Sequence, residues 1–212
     1  MSSGNKHINW AIDRIASVRL LYNSKNNIAF YYIPKSGCTS IRHFLENNGG
    51  CIEKDFNDLL SNVKLFAMIR DPLKRLVSGY MTRRTSFYTQ THGILPINYP
   101  QSDVDGPYSY ENFISFINNI IKINQDQINV HFTPQYILIN KEIPKYIYNI
   151  DQINELTDTM HSFGLNGEFP HDHNCANAIS ADIYNKLLND SGLLEKIKTY
   201  YYLDYQYLSK YF

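Results

Sequence analysis

The residues best suited to act together chemically lie in one short stretch, Tyr31-Tyr32-Ile33-Pro34-Lys35-Ser36-Gly37-Cys38-Thr39-Ser40-Ile41-Arg42. Lys35 supplies a mobile positive charge, and Ser36, Thr39 and Ser40 supply hydroxyl donors. Gly37 lets the main chain approach a ligand closely. An anion is the partner such a set calls for. The neighbouring elements must then hold it in place. Upstream, Ile28-Ala29-Phe30-Tyr31-Tyr32-Ile33 is an apolar and aromatic run that reads as a buried strand. Downstream, Ile41, Phe44 and Leu45 recur at helical spacing, which predicts a helix from near Thr39 or Ser40 to about Asn47, closed by Asn48-Gly49-Gly50. Strand, tight loop and helix aim main-chain N–H groups and the positive end of a helix dipole at one point. The stretch is a phosphate cradle in its chemistry. It is not the Walker loop, G-x-x-x-x-G-K-[ST], in which lysine follows glycine and a hydroxyl is reserved for Mg²⁺: here Lys35 precedes Gly37.

A second junction of the same kind follows. Lys64-Leu65-Phe66-Ala67-Met68-Ile69 reads as a strand ending at Arg70, and Pro72 stands where a helix can start. Leu73, Leu76, Val77 and Tyr80 give that helix an apolar face, with Ser78 two turns along it. Arg70 is thereby placed at the carboxyl end of a strand, the edge where open α/β sheets bind ligands.

The order Pro34-Lys35-Ser36-Gly37-Cys38-Thr39-Ser40 resembles the 5′-phosphosulfate loop of sulfotransferases that use 3′-phosphoadenosine 5′-phosphosulfate (PAPS). Arg70 and Ser78, eight residues apart, resemble that family's 3′-phosphate motif. The segment His131-Phe132-Thr133-Pro134-Gln135 is similar to one in the carbohydrate, Golgi-type glycan branch. The tail Tyr200-Tyr201-Tyr202-Leu203-Asp204-Tyr205 also resembles the family's closing segment, so the likeness runs from about Ile28 to Phe212. It implies a P-loop-like sulfotransferase fold: α/β, a three-layer sandwich with a parallel central sheet, formed by one domain over residues 1–212. It also implies sulfuryl transfer from PAPS to a carbohydrate hydroxyl without a metal, leaving 3′-phosphoadenosine 5′-phosphate (PAP). Lys35, Ser36, Gly37, Cys38, Thr39, Ser40, Arg70 and Ser78 would hold the donor, and Lys35 would also relieve charge at the leaving phosphate. A nucleotide or small-molecule kinase, or a non-catalytic phosphate-binding module, is the competing expectation.

The acceptor's proton needs a base, and several residues compete for that role. His131 has the family-like context and the ordinary histidine pKa of about 6.5. Glu53 and Asp55 lie where other sulfotransferases place a carboxylate, while His43 and His92 have less support. His171 and His173 flank Asp172 in what reads as a solvated loop rather than a metal site.

Composition limits the classes open to the chain. It has 212 residues, 43% of them hydrophobic and 19% charged, with 20 basic against 20 acidic side chains. This describes an ordinary globular protein with no net field to recruit nucleic acid. No run approaches the roughly 18 apolar residues of a membrane span, and the first residues lack the apolar core of a signal peptide. Three scattered cysteines, Cys38, Cys51 and Cys175, argue against a disulfide framework. A cytoplasmic enzyme of bacterial-like soluble type is the expectation. Elsewhere, residues 8–22 read as a leading helix and Asp55 to Leu60 as a short one. Residues 82–107 read as an acceptor-side loop, and Ser109 as the cap of a helix through Ile121. A strand at 145–150 and a helix over 151–160 complete the expected order.

Overall fold

The computed structural model describes residues 18–59, 62–86, 109–125, 128, 130–139, 141–170 and 178–212. Its frame is a five-stranded sheet in the order β3-β1-β2-β4-β5. The strands are β1 (Arg19–Asn23), β2 (Ile28–Tyr31), β3 (Ile52–Asp55), β4 (Lys64–Ile69) and β5 (Tyr146–Asn149). The helices of the described residues are α1 (Cys38–Asn47), α2 (Pro72–Ser86), α3 (Tyr110–Ile120), α4 (Gln135–Ile139), α5 (Ile153–Ser162), α6 (Ala178–Asn189), α7 (Ser191–Tyr200) and α8 (Tyr202–Leu208).

The strands alternate their side chains between two faces, as the period of two requires. Leu20, Tyr22, Ala29, Tyr31, Leu65, Ala67 and Ile69 point to one face, where Ile139 of α4 and Leu208 of α8 meet them. Leu21, Ile28, Phe30, Phe66 and Met68 point to the other, against Ile41, Phe44 and Leu45 of α1 and Leu156 and Met160 of α5. A third apolar cluster joins α2, α3, α6 and α7 through Leu76, Tyr80, Phe113, Ile117, Ile183 and Ile197.

Several expectations are corrected here. The sheet is mixed rather than parallel: β2, β4 and β5 run together, but β1 is antiparallel to both β2 and β3. Residues 19–22 are strand, not the end of a leading helix. Both faces of β1 are covered, so Leu20-Leu21-Tyr22 shows no alternation, and its apolar residues fall in with Ile8, Ile12 and Ile15 to imitate a helical rhythm. The earlier part of that expected helix lies outside the described residues. The short helix expected over Asp55 to Leu60 is a 3₁₀ turn, Phe56–Asp58, preceded by β3. That strand, Ile-Glu-Lys-Asp, is largely exposed and lacks an apolar signature. The expected loop over 82–107 begins later, since α2 continues to Ser86; 87–107 lies outside the described residues.

Other boundaries fall where capping chemistry put them. The Ser109 side chain accepts from the N–H of Asn112 at the start of α3. Asn149 and Gln152 form a reciprocal capping box between β5 and α5.

Candidate functional site

The site follows from pairing β2 with β4. The two strands are parallel neighbours, so the loop leaving β2 and the turn leaving β4 emerge side by side at one sheet edge. The β2 loop is made by two left-handed residues, Lys35 at φ +69° and Gly37 at φ +78°. Gly37 is required there twice over. Its φ belongs to glycine, and a Cβ would stand 2.6 Å from the Met68 sulfur on β4. For lysine the same backbone region is costly, and such strain collects at binding sites.

The loop ends on α1, where Gly37 occupies the cap position and no side chain caps the helix. The N–H groups of Cys38, Thr39 and Ser40 have no helical carbonyl four residues back. With the helix dipole, they make the loop favourable to an anion. Lys35, Gly37, Cys38, Thr39 and Ser40 are all half-buried, so a ligand can reach them.

Ser36 departs from its expected role. It is 1% exposed, and its hydroxyl donates inward to Gln135 Oε1 at 3.1 Å. Its own N–H goes back to the Ile33 carbonyl at 3.3 Å. Both of its donors are committed within the protein, so its part is to hold the loop rather than grip a phosphate.

Arg70 comes beside this loop, its Nη1 donating to the Lys35 carbonyl at 3.4 Å across 35 residues of chain. Ser78 is on α2, 8% exposed. Next to it, Gly79 brings the helix against the 130–133 turn: a Cβ there would stand 2.8 Å from the Phe132 ring and 3.3 Å from the His131 carbonyl. His131 is therefore half-buried on a turn that abuts α2 one residue beyond Ser78.

Three buried polar residues stand behind the site. Gln135 is wholly buried, and Asp204 likewise. The Asp204 carboxylate takes the first N–H groups of α4, Gln135 N at 3.1 Å and Tyr136 N at 2.8 Å. Burial pushes its pKa up, more than those donors and the Arg75 charge pull it down. Arg75, 1% exposed, spreads its guanidinium over three carbonyls: Nε to Pro34 at 3.0 Å, Nη1 to Thr133 at 2.8 Å and Nη2 to Val130 at 3.0 Å. Desolvation pulls its pKa down, against the opposing influence of Tyr201 and Asp204. One side chain thus ties the loop between β2 and α1 to the turn that carries His131.

Sequence reasoning passed over Arg75. The signal was present on α2, where Arg75, Ser78, Gly79 and Thr82 recur at i, i+3, i+4 and i+7. They form a polar and small stripe beside the apolar one. Asp204, set among the tyrosines of the closing segment, has no comparable signal in the sequence.

The rival bases fall in different places. Glu53, on β3, is taken by Arg42 of α1 and by Arg19 at 3.4 Å. For Arg42, burial works to lower the pKa, yet the hydrogen bond and charge of Glu53 prevail and raise it. Asp55 is exposed at the end of β3, paired in register with Arg19, and His43 is half-buried on α1. His92, His171, Asp172, His173 and Cys175 lie outside the described residues. Among the described residues, no cluster of His, Cys, Asp or Glu could hold a metal ion, and no helix is long and apolar enough to cross a membrane.

A family model described as "Sulfotransferase family" matches residues 18–211, spanning every element above. No curated protein and no solved structure matches the chain.

Proposed function

The chain belongs to the sulfotransferase family, and we propose that its donor is PAPS and its acceptor a carbohydrate hydroxyl. On this reading, residues 1–212 act as one unit with the three-layer, P-loop-like architecture of such enzymes. The observation that carries it is the 3.4 Å approach of Arg70 to the Lys35 carbonyl, which brings both phosphate motifs to one sheet edge. The donor set there is cationic and hydroxylic, as a bis-anionic nucleotide needs. Lys35 and the N–H groups of Gly37 to Ser40 would hold the 5′ side, and Arg70 with Ser78 the 3′-phosphate.

The bound donor supplies an activated sulfuryl group; orientation and charge relief are left to the protein. On this reading the Lys35 ammonium would meet the negative charge that grows as the bridging oxygen departs, so it should matter more in the transition state than in the ground state. His131 is assigned as the base that takes the hydroxyl proton, on a turn fixed to the loop by Arg75. It is preferred to Glu53, whose oxygens are occupied by Arg42 and Arg19.

The deciding test is sulfate transfer from labelled PAPS to a panel of glycans and small alcohols, with calorimetry of PAP against AMP. Transfer to a glycan is expected, with PAP favoured roughly tenfold to a hundredfold by its extra charge-assisted bonds. Equal affinity for PAP and AMP, or tighter binding of Mg²⁺-ATP, would overturn the donor assignment. For the base, His131→Ala should lower kcat by roughly 10²–10⁴ with PAP affinity unchanged. Near-normal turnover in the folded variant would leave His131 a structural residue.

A further inference from the structure

Gln135 has a bonding pattern that the donor reading does not require but that bears on it directly. Its Oε1 accepts from the Arg70 N–H at 2.9 Å and from the Ser36 hydroxyl at 3.1 Å. Its Nε2 donates to the Arg70 carbonyl at 2.7 Å and to Asp204 at 3.4 Å. A primary amide offers two acceptor sites and two donor hydrogens, and all four are used here. The side chain is wholly buried, and turning the amide over would set N–H groups against the Arg70 N–H. Only one orientation satisfies the site.

These bonds close a circuit. The Arg70 side chain reaches the Lys35 carbonyl, the Arg70 main chain is held on both sides by Gln135, and Gln135 returns through Ser36 to the loop carrying Lys35. We infer that Gln135 is a positioning residue that fixes the distance between the phosphate loop and the Arg70 turn, so that two phosphates on one ribose are bound as a chelate rather than as two separate anions. The inference rests on the donor reading above for its ligand.

A fixed spacing has a measurable consequence. The 3′-phosphate should contribute more when the 5′-phosphate is also present, because binding one end places the other. Calorimetry of adenosine, 3′-AMP, 5′-AMP and PAP gives this coupling as the ratio of two affinity gains, PAP over 5′-AMP and 3′-AMP over adenosine. In the wild-type protein the ratio should be about tenfold. In Gln135→Met, close in shape but without the amide, it should fall towards one, with each single phosphate still bound. A residue serving only stability would lower the melting temperature and leave the ratio alone.

Hydrogen exchange gives a reading independent of nucleotide. In Gln135→Met, exchange should quicken both over 34–38 and at Arg70 and Asp71. In Ser36→Ala, which cuts one arm only, it should quicken in the loop and not at Arg70. Ser36→Ala also serves should Gln135→Met fail to fold, since cutting that arm opens the circuit and should lower the coupling ratio severalfold. An unchanged ratio in a folded Gln135→Met, or exchange that quickens in only one of the two segments, would overturn the inference. A wild-type protein in which the 3′-phosphate adds nothing would instead overturn the donor reading, and exchange would then decide the role of Gln135 by itself.

Discussion

The loop between β2 and α1 has two sides built from different materials. Its open side carries Lys35, Thr39 and Ser40, half-buried, on a main chain twice bent into the left-handed region. Its closed side carries Arg75, Gln135, Asp204 and the inward Ser36, all at most 1% exposed. On the open side the useful groups are side-chain charge and main-chain N–H. On the closed side nearly every bond runs from a buried polar side chain to a main-chain atom. The geometry of the loop is thus imposed by a polar scaffold. Apolar packing by itself would let a loop as short as residues 32–37 slide, whereas directional bonds to named carbonyls do not. Changes on the open side should alter chemistry and spare stability; changes on the closed side should do both kinds of damage.

Arg75 offers the hardest blow to that division. Arg75→Met keeps much of the length and apolar volume but leaves the carbonyls of Pro34, Thr133 and Val130 without their donor. Unsatisfied buried acceptors cost about 1–3 kcal/mol each, offset in part by no longer desolvating a guanidinium. A net loss of about 3–5 kcal/mol is expected in urea unfolding. Arg75→Lys should recover little of it, because an ammonium lacks the planar fork. A Met variant within about 1 kcal/mol of wild type would mean the loop holds itself.

Gly37 lies on the border between the two sides. Gly37→Ala forces a Cβ into φ +78° and against the Met68 sulfur. The sulfur sits on a flexible chain and can yield, so the backbone should dominate, at about 1–2 kcal/mol. Repeating the change in a Met68→Ala background separates the causes. Loss that persists there is conformational; loss that vanishes was contact with Met68.

These residues also show what could be read from sequence. Lys35, Gly37 and Arg70 were legible because their types are unusual at strand-to-helix junctions, and the junctions themselves announce their apolar runs. Arg75 was not, because an arginine on an amphipathic helix is ordinarily a surface residue. Only the carbonyls it meets, up to 58 residues away in the chain, give it a reason to be inside. Gln135 is legible only as the last residue of the His131-Phe132-Thr133-Pro134-Gln135 segment; the fold alone supplies Ser36 and Arg70 as its partners. The same limit explains β1 and β3. A strand buried on both faces lacks alternation, and an exposed edge strand lacks apolar residues. Only the neighbours in the sheet identify either.

Asp204 tests the closed side through pH, with a smaller effect. Burial raises its pKa in the folded state, so between the ordinary carboxyl value, about 3.9, and that raised value the folded protein binds more protons than the unfolded one. The stability this residue contributes is then fully present below the ordinary value and is lost as pH rises through the folded one. Urea midpoints of the wild type should carry that downward slope, and those of Asp204→Asn should not. Parallel profiles for the two proteins would mean that the main-chain donors of Gln135 and Tyr136 fully offset the cost of burying the charge.

The mildest change belongs to the open side and gives the comparison its sharpest form. Lys35 holds φ +69°, a region costing a residue with a Cβ about 1–2 kcal/mol. Lys35→Ala and Lys35→Gly both remove the ammonium, so both should lose most turnover while binding PAP with little change. They should differ in stability. Glycine takes up the left-handed backbone freely, but it also has more freedom to lose on folding, so Lys35→Gly should exceed Lys35→Ala by only about 0.5–1 kcal/mol. For a chain of 212 residues that is about 2 °C in Tm. Lys35→Gly should therefore be no less stable than wild type while nearly inactive, as expected of a charge mounted on a strained support. If Ala and Gly melt together, the support is not strained. If Lys35→Ala and Lys35→Gly both lose more than about 2 kcal/mol, the ammonium belongs to the scaffold, and the boundary between the two sides of the loop must be redrawn with Lys35 on the other side.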